Sequence, residues 1–97
     1  MPRVVLSARA RLDLVRLYAF LAQLDSEIAS EGIGAILSSF DGLHLPEIGA
    51  PVPEQKGLRK LVIEFGNSGY TALYRYSRTK NAIVVLAIKH QKENDYK

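Results

Sequence analysis

Residues 61–88 read LVIEFGNSGYTALYRYSRTKNAIVVLAI, and the period within this stretch decides the fold. Leu61, Ile63 and Phe65 alternate with Lys60, Val62 and Glu64, a period of two that describes a half-buried strand. Gly66-Asn67-Ser68-Gly69 is a turn by composition. Tyr70 to Tyr76 (YTALYRY) makes a second strand and SRTKN a polar turn. Ala82 to Ile88 (AIVVLAI) is apolar at every position, as expected of a strand central in its sheet.

Upstream the punctuation changes. Residues 44–56, HLPEIGAPVPEQK, hold three of the four prolines, which strip donors from a ladder and break helices. An extended surface connection is expected there. Before it, Ile28, Ile36, Leu37 and Phe40 mark one helical stripe, and Leu14, Leu17, Tyr18, Leu21 and Leu24 another. Asp25 or Ser26 can end the first helix and cap the second, so the two form an αα-hairpin. Gly32 and Gly34 each cost about 1 kcal/mol of helix propensity relative to alanine, so they imply either a fray or a close approach. Arg3 to Leu6 (RVVL) is one short strand, and Ser7 is placed to cap the first helix. The polar tail, KHQKENDYK, ends in a turn or a frayed helix. The order is β-α-α-β-β-β: an α+β domain over residues 1–97, with the helical hairpin on one face of a small antiparallel sheet. The other face is left for something else.

Length and composition agree with a single domain: 97 residues, 47% hydrophobic and 24% charged. Apolar runs are too short to span a bilayer, and the N-terminus has no secretory h-region. With no cysteine there is no disulfide framework, thiolate site or cysteine nucleophile, which is compatible with a cytoplasmic setting. The net charge of +3 is unevenly spread: residues 1–50 carry −2 and residues 51–97 carry +5. A basic face and an acidic or nucleic-acid partner follow from that asymmetry.

Motifs for conventional chemistry are missing. His44 and His90 are the only histidines and lack metal-ligand spacing, so no metal or other cofactor is expected. No phosphate loop, nucleophile elbow or paired-carboxylate motif is present. The polar residues of the sheet and its C-terminal end remain: Arg59, Arg75, Lys89, His90, Lys92 and Tyr96. Arg75 offers either a guanidinium fork for phosphate or carboxylate, or an ion pair with Glu64 across the hairpin. Lys89, Lys92 and Lys97 most simply read as solvated charge, His90 as a polar strand end, and Tyr96 as a residue docked on the sheet edge. Tyr70, Tyr74 and Tyr76 share a face by parity, as a base-stacking platform or as the core layer under the helices; Tyr70, Ala72 and Tyr74 look core-like.

The segments Gly57 to Ile63, Ser68 to Tyr76 and Ile83 to Glu93 resemble the RelE/ParE superfamily of toxins from bacterial type II toxin–antitoxin modules, and more closely its ParE side. The signature is an aromatic-Tyr-Arg strand followed by an apolar strand ending in a basic group. The resemblance spans essentially the whole chain, because β-α-α-β-β-β is also that family's order. It implies one of two activities. RelE-like members are ribosome-dependent mRNA endoribonucleases; ParE-like members inhibit DNA gyrase. Cleavage through a 2′-OH needs a base, an acid and cations around the phosphate. Val62, Glu64 and Thr71 stand roughly where RelE-like toxins supply part of that set, and they cannot supply it. If the chain is a nuclease, His90, Tyr96, Arg75 and Lys92, with Arg59 as a further cation, would carry the reaction.

The ParE-like alternative implies a protein that need not be an enzyme, with growth arrest and plasmid stabilisation as its outcomes. Arg59, Arg75, Lys89, His90, Lys92 and Tyr96 are then candidates for contacts with the target or the antitoxin. Either way the resemblance implies a cognate ParD/RelB-like antitoxin with an acidic segment that wraps the toxin. Leu12, Val15 and Leu24 could line a groove for it. It implies no membrane association and no specific DNA binding by the toxin alone, and DNA gyrase, or alternatively the ribosome with its mRNA, as target.

Overall fold

The two sequence periods become a helical pair laid on a sheet. The structure is a computed structural model that describes residues 2–66 and 68–91. Strand β1 is Arg3–Leu6, followed by helices α1, Ala8–Ala22, and α2, Ser26–Asp41. A 3₁₀ turn at Pro46–Ile48 leads to the two-residue strand β2, Ala50–Pro51, and then to β3, Leu58–Phe65, β4, Ser68–Ser77, and β5, Ala82–His90. The Lys92 to Lys97 end of the polar tail lies outside the described residues.

The strands lie in the order β1-β5-β4-β3-β2. Strands β2 to β5 pair antiparallel, but β1 runs parallel to β5, with Arg3 opposite Ala82 and Leu6 opposite Val85. The sheet is therefore mixed, not purely antiparallel. The short turns between β3, β4 and β5 allow only antiparallel pairs, whereas β1 reaches β5 through a long path over both helices, the kind of connection a parallel pair requires. This also makes the apolar β5 an inner strand. The connection at 44–56, expected to be extended, is extended only in part: it holds the 3₁₀ turn, the two-residue strand β2 and a turn that begins at Pro53-Glu54.

Both helices start at the expected caps. Ser7 Oγ accepts from Ala10 N–H at 3.1 Å, and Asp25 Oδ1 accepts from Glu27 and Ile28 N–H. Their buried stripes are narrower than the sequence implied. Ala10, Leu17 and Leu21 are buried on α1, with Leu14 half-buried, while Tyr18 and Leu24 are exposed. On α2 the buried residues are Ala29, Gly32, Ile36 and Phe40, and Ile28 and Leu37 are exposed. A two-layer domain covers each helix on one side only. Gly32 marks a close approach rather than a fray: a Cβ there would lie 2.8 Å from Leu21 Cδ1 and 3.2 Å from Phe65 Cε2.

Tyr70, Ala72 and Tyr74 are buried beneath the helices with Ile63, Ile83, Val85 and Ile88. Tyr76 packs against the same cluster. The tyrosines form the core layer, and the stacking-platform alternative falls.

Candidate functional site

Parity along β3, β4 and β5 divides the candidates between two faces. Leu61, Ile63 and Phe65 face the helices with Tyr70, Ala72 and Tyr74, and Arg59, opposite Tyr74, shares that side. Leu58, Lys60, Val62 and Glu64 face the other way, with Thr71, Leu73 and Arg75 opposite them or diagonal to them. Lys89 pairs with Thr71 and joins this open face, whereas His90 pairs with Tyr70 on the helix side.

Arg75 is exposed on the open face and pairs with Leu58, while Glu64 pairs with Gly69 at the other end of the hairpin. Six residues of strand, on the order of 20 Å, separate Arg75 from Glu64. The cross-strand ion pair with Glu64, one of the two readings of Arg75, does not form, because the tight Gly66 turn puts Glu64 beside the hairpin tip. Arg75 has no hydrogen-bond or ion-pair partner among the described residues.

Arg59 is engaged in a loop anchor. Its Nη1 donates to the Gly49 carbonyl at 2.6 Å, while Gly49 N–H donates to the Tyr74 hydroxyl at 2.7 Å. That hydroxyl donates in turn to the Pro46 carbonyl at 2.6 Å. Gly49 is required here, since a Cβ would come within 2.5 Å of both the Lys60 carbonyl oxygen and the Tyr74 hydroxyl. Burial pushes the Tyr74 phenol above its ordinary pKa, partly offset by the Gly49 hydrogen bond and the Arg59 charge. The sequence carried no signal for this long-range node beyond the glycine and proline themselves.

His90 ends β5 half-buried, with its ring edge-on to Tyr70 at a centroid distance of 5.3 Å. Burial also raises the Tyr70 pKa. Lys89 is half-buried and borders a shallow groove of about 370 Å³ on the open face, whose floor is Leu58, Val62 and Leu73. Lys60 sits at the same groove. Lys92 and Tyr96 fall outside the described residues.

The described candidates are therefore spread out. His90 and Arg75 stand on opposite faces, five residues apart in register, roughly 16 Å along the strands. Val62 and Thr71 sit directly opposite each other on the open face, with Glu64 on the same side. Among the described residues no three carboxylates or imidazoles gather in a way that could hold a metal. No helix among them is long and apolar enough to cross a membrane.

A second polar arrangement escaped the sequence reading. Tyr74 pairs with Val85 and Leu73 with Ala87, so Leu86 bulges out of register. Its carbonyl accepts from Ser7 Oγ at 3.1 Å. Beyond the end of β1, Ile88 N–H donates to Asp13 Oδ2 at 2.8 Å and Ile88 C=O accepts from Arg16 Nη2 at 3.1 Å. Asp13 and Arg16 also pair with each other at 3.4 Å. Side chains of α1 thus satisfy an edge that β1 is too short to cover.

Comparison with known proteins bears on this geometry. The model of one protein family, the ParE toxin of the parDE type II toxin–antitoxin system, matches residues 4–95. No curated protein matches the chain. Among solved structures, the chain resembles the chromosomal ParDE toxin–antitoxin system of P. aeruginosa with a TM-score of 0.77 and 25% identity. That alignment covers 93% of this chain and 96% of the other. The RelBE2 toxin–antitoxin complex of Mycobacterium tuberculosis shares the fold, with a TM-score of 0.62 and 21% identity over 95% of this chain and 93% of that one.

Proposed function

Since the chain belongs to the ParE toxin family of type II toxin–antitoxin systems, we propose that it inhibits DNA gyrase through a contact surface and is neutralised by a cognate ParD/RelB-like antitoxin. The observation that carries this reading is the dispersal of the described nuclease candidates, His90, Arg75 and Arg59. A general base must come within hydrogen-bond reach of the proton it takes, and cations must surround the same phosphate. His90 and Arg75 stand on opposite faces of the sheet. Arg59 donates to the Gly49 carbonyl, and Glu64 adds a negative charge to the open face. Such a surface can hold a protein partner without converging on one reacting atom. Arg75, Lys60 and Lys89 on the open face are its cations, and gyrase places its action in the cytoplasm.

The test uses purified protein and gyrase. Supercoiling activity is expected to fall, or cleaved DNA to accumulate, at micromolar toxin, and induction in cells is expected to arrest growth. Unchanged gyrase together with codon-linked cuts in ribosome-bound message, mapped by primer extension, would replace this reading with a RelE-like endoribonuclease. Unchanged gyrase with no growth arrest would mean a chain retained only for antitoxin binding.

A further inference from the structure

Cations gather at one end of the open face of the sheet. Arg3 pairs with Ala82 and Ala82 with Ser77, while Arg75 pairs with Leu58 and Val84, so by alternation Arg3 and Arg75 share that face. Arg78 and Lys80 stand in the β4–β5 turn between them, and Lys56 in the turn that enters β3. The β4–β5 turn is held in shape: the Tyr76 hydroxyl donates to Asn81 Oδ1 at 2.8 Å, and Asn81 N–H donates to the Arg78 carbonyl at 3.3 Å. All five cations are exposed, and none has an ion-pair partner among the described residues. The row crosses from β1 to β3, three strand spacings or roughly 14 Å. Of the nearby acids, Glu54 lies in the turn beside Lys56, whereas Asp41 lies by Pro2 and Val4 on the helix side and Glu64 at the far end of β3.

A row of unpaired cations of that width fits a polyanion with a fixed repeat. One strand of duplex DNA advances about 3.4 Å per phosphate along its axis, so about four phosphates span the row. What the face lacks chooses among nucleic acids. Single strands are held by bases stacked on aromatic rings as well as by charge. Every aromatic ring among the described residues lies on a helix or on the helix-facing side of the sheet, where Tyr70 and Tyr74 are buried and Tyr76 packs against the same core. Phosphate contacts alone position a protein on a duplex without reading its sequence. We infer that Arg3, Lys56, Arg75, Arg78 and Lys80 form a sequence-independent contact for the phosphate backbone of duplex DNA. That the duplex is the one held by gyrase rests on the reading above; the phosphate contact itself does not.

Fluorescence anisotropy with short labelled duplexes tests the row on the full chain. Two duplexes of unrelated sequence are expected to bind equally. Log affinity is expected to fall with log salt at a slope of about −3 to −4.5, since each neutralised phosphate contributes about −0.9. The double variant Arg78→Gln, Lys80→Gln is expected to weaken binding at least tenfold at low salt and to flatten the slope by about 2. Arg9→Gln with Arg11→Gln removes the same charge from α1, in the other layer, and is expected to leave the slope unchanged. Arg78→Lys keeps the charge and should keep the slope. All these positions are exposed, so the melting temperatures should match the wild type. Equal losses of slope in the two double variants, a slope that the first leaves unmoved, or tighter binding of single-stranded RNA than of duplex of the same length overturns the proposal. Supercoiling assays separate the two readings. A chain that binds duplex through the row but leaves gyrase untouched removes the gyrase reading alone. One that inhibits gyrase without row-dependent duplex binding removes the phosphate contact alone.

Discussion

Replacing Tyr74 by phenylalanine keeps the buried ring and deletes one oxygen. That oxygen accepts from Gly49 N–H and donates to the Pro46 carbonyl, so two backbone groups 25 and 28 residues away lose a partner together. A buried polar group left unpaired costs about 1–3 kcal/mol. The Gly49 side of the node is buried and the Pro46 side only partly so, which places the sum at roughly 2–4 kcal/mol. In a domain of this size each kcal/mol moves the melting temperature by about 4–8 °C, so a drop on the order of 10–30 °C is expected. The control is Tyr76→Phe, which removes an exposed bond to Asn81 and should cost about 0.5 kcal/mol. Urea unfolding of both variants decides the matter. If Y74F and Y76F lose the same stability, the hydroxyl does not anchor the 46–51 connection and the node is a packing coincidence.

Other consequences are equally direct. The pKa values of Tyr70 and Tyr74 are raised in the folded state by burial, so above pH 10 the unfolded chain releases protons that the fold retains. Stability is thus full below the ordinary tyrosine range and falls as pH rises through the folded values; a denaturation series through alkaline pH should show the decline, and a flat profile would contradict it. Gly34→Ala meets nothing within 4 Å and should stabilise by about 0.5–1 kcal/mol, read by thermal melting. Gly32→Ala should lose about 1 kcal/mol net, because overpacking against Leu21 and Phe65 outweighs the propensity gain. Asp13→Ala strips the acceptor from Ile88 N–H and should cost about 1–2 kcal/mol, with faster amide exchange at Ile88 by NMR.

What could be read from the chain and what could not divides along the range of the interactions. The period-two run at 61–65, the apolar β5 and the caps at Ser7 and Asp25 are local patterns, and each became the element expected. The helical stripes were local too, but a stripe says only that a helix has an apolar side. Leu24 satisfies the spacing and is 70% exposed, because it lies just past the end of α1. The outer stripe through Leu12 and Val15 has a spacing as regular as the inner one, so periodicity alone could not rank them. Register was less legible still. Arg75 and Glu64 were plausible partners until the turn residues fixed which positions face each other, and the pair then separated to opposite ends of the hairpin. Parity did sort the tyrosines correctly into one layer, since alternation survives any shift by two. The Tyr74–Gly49–Arg59 node and the Asp13–Arg16–Ile88 clamp join residues far apart in sequence, and no spacing rule reaches them.

The clamp at the β5 edge also sets an order of events. Ser7 reaches Leu86 across 79 residues and Asp13 reaches Ile88 across 75. Strand β1 and helix α1 are synthesised well before β5, the strand they rest on. Until β5 emerges, β1 has no neighbour and α1 has no floor. Long-range closure of this kind delays folding until the ends can meet. Nascent or truncated chains lacking residues 82–90 therefore cannot assemble this five-stranded sheet, because β5 alone joins β1 to β4.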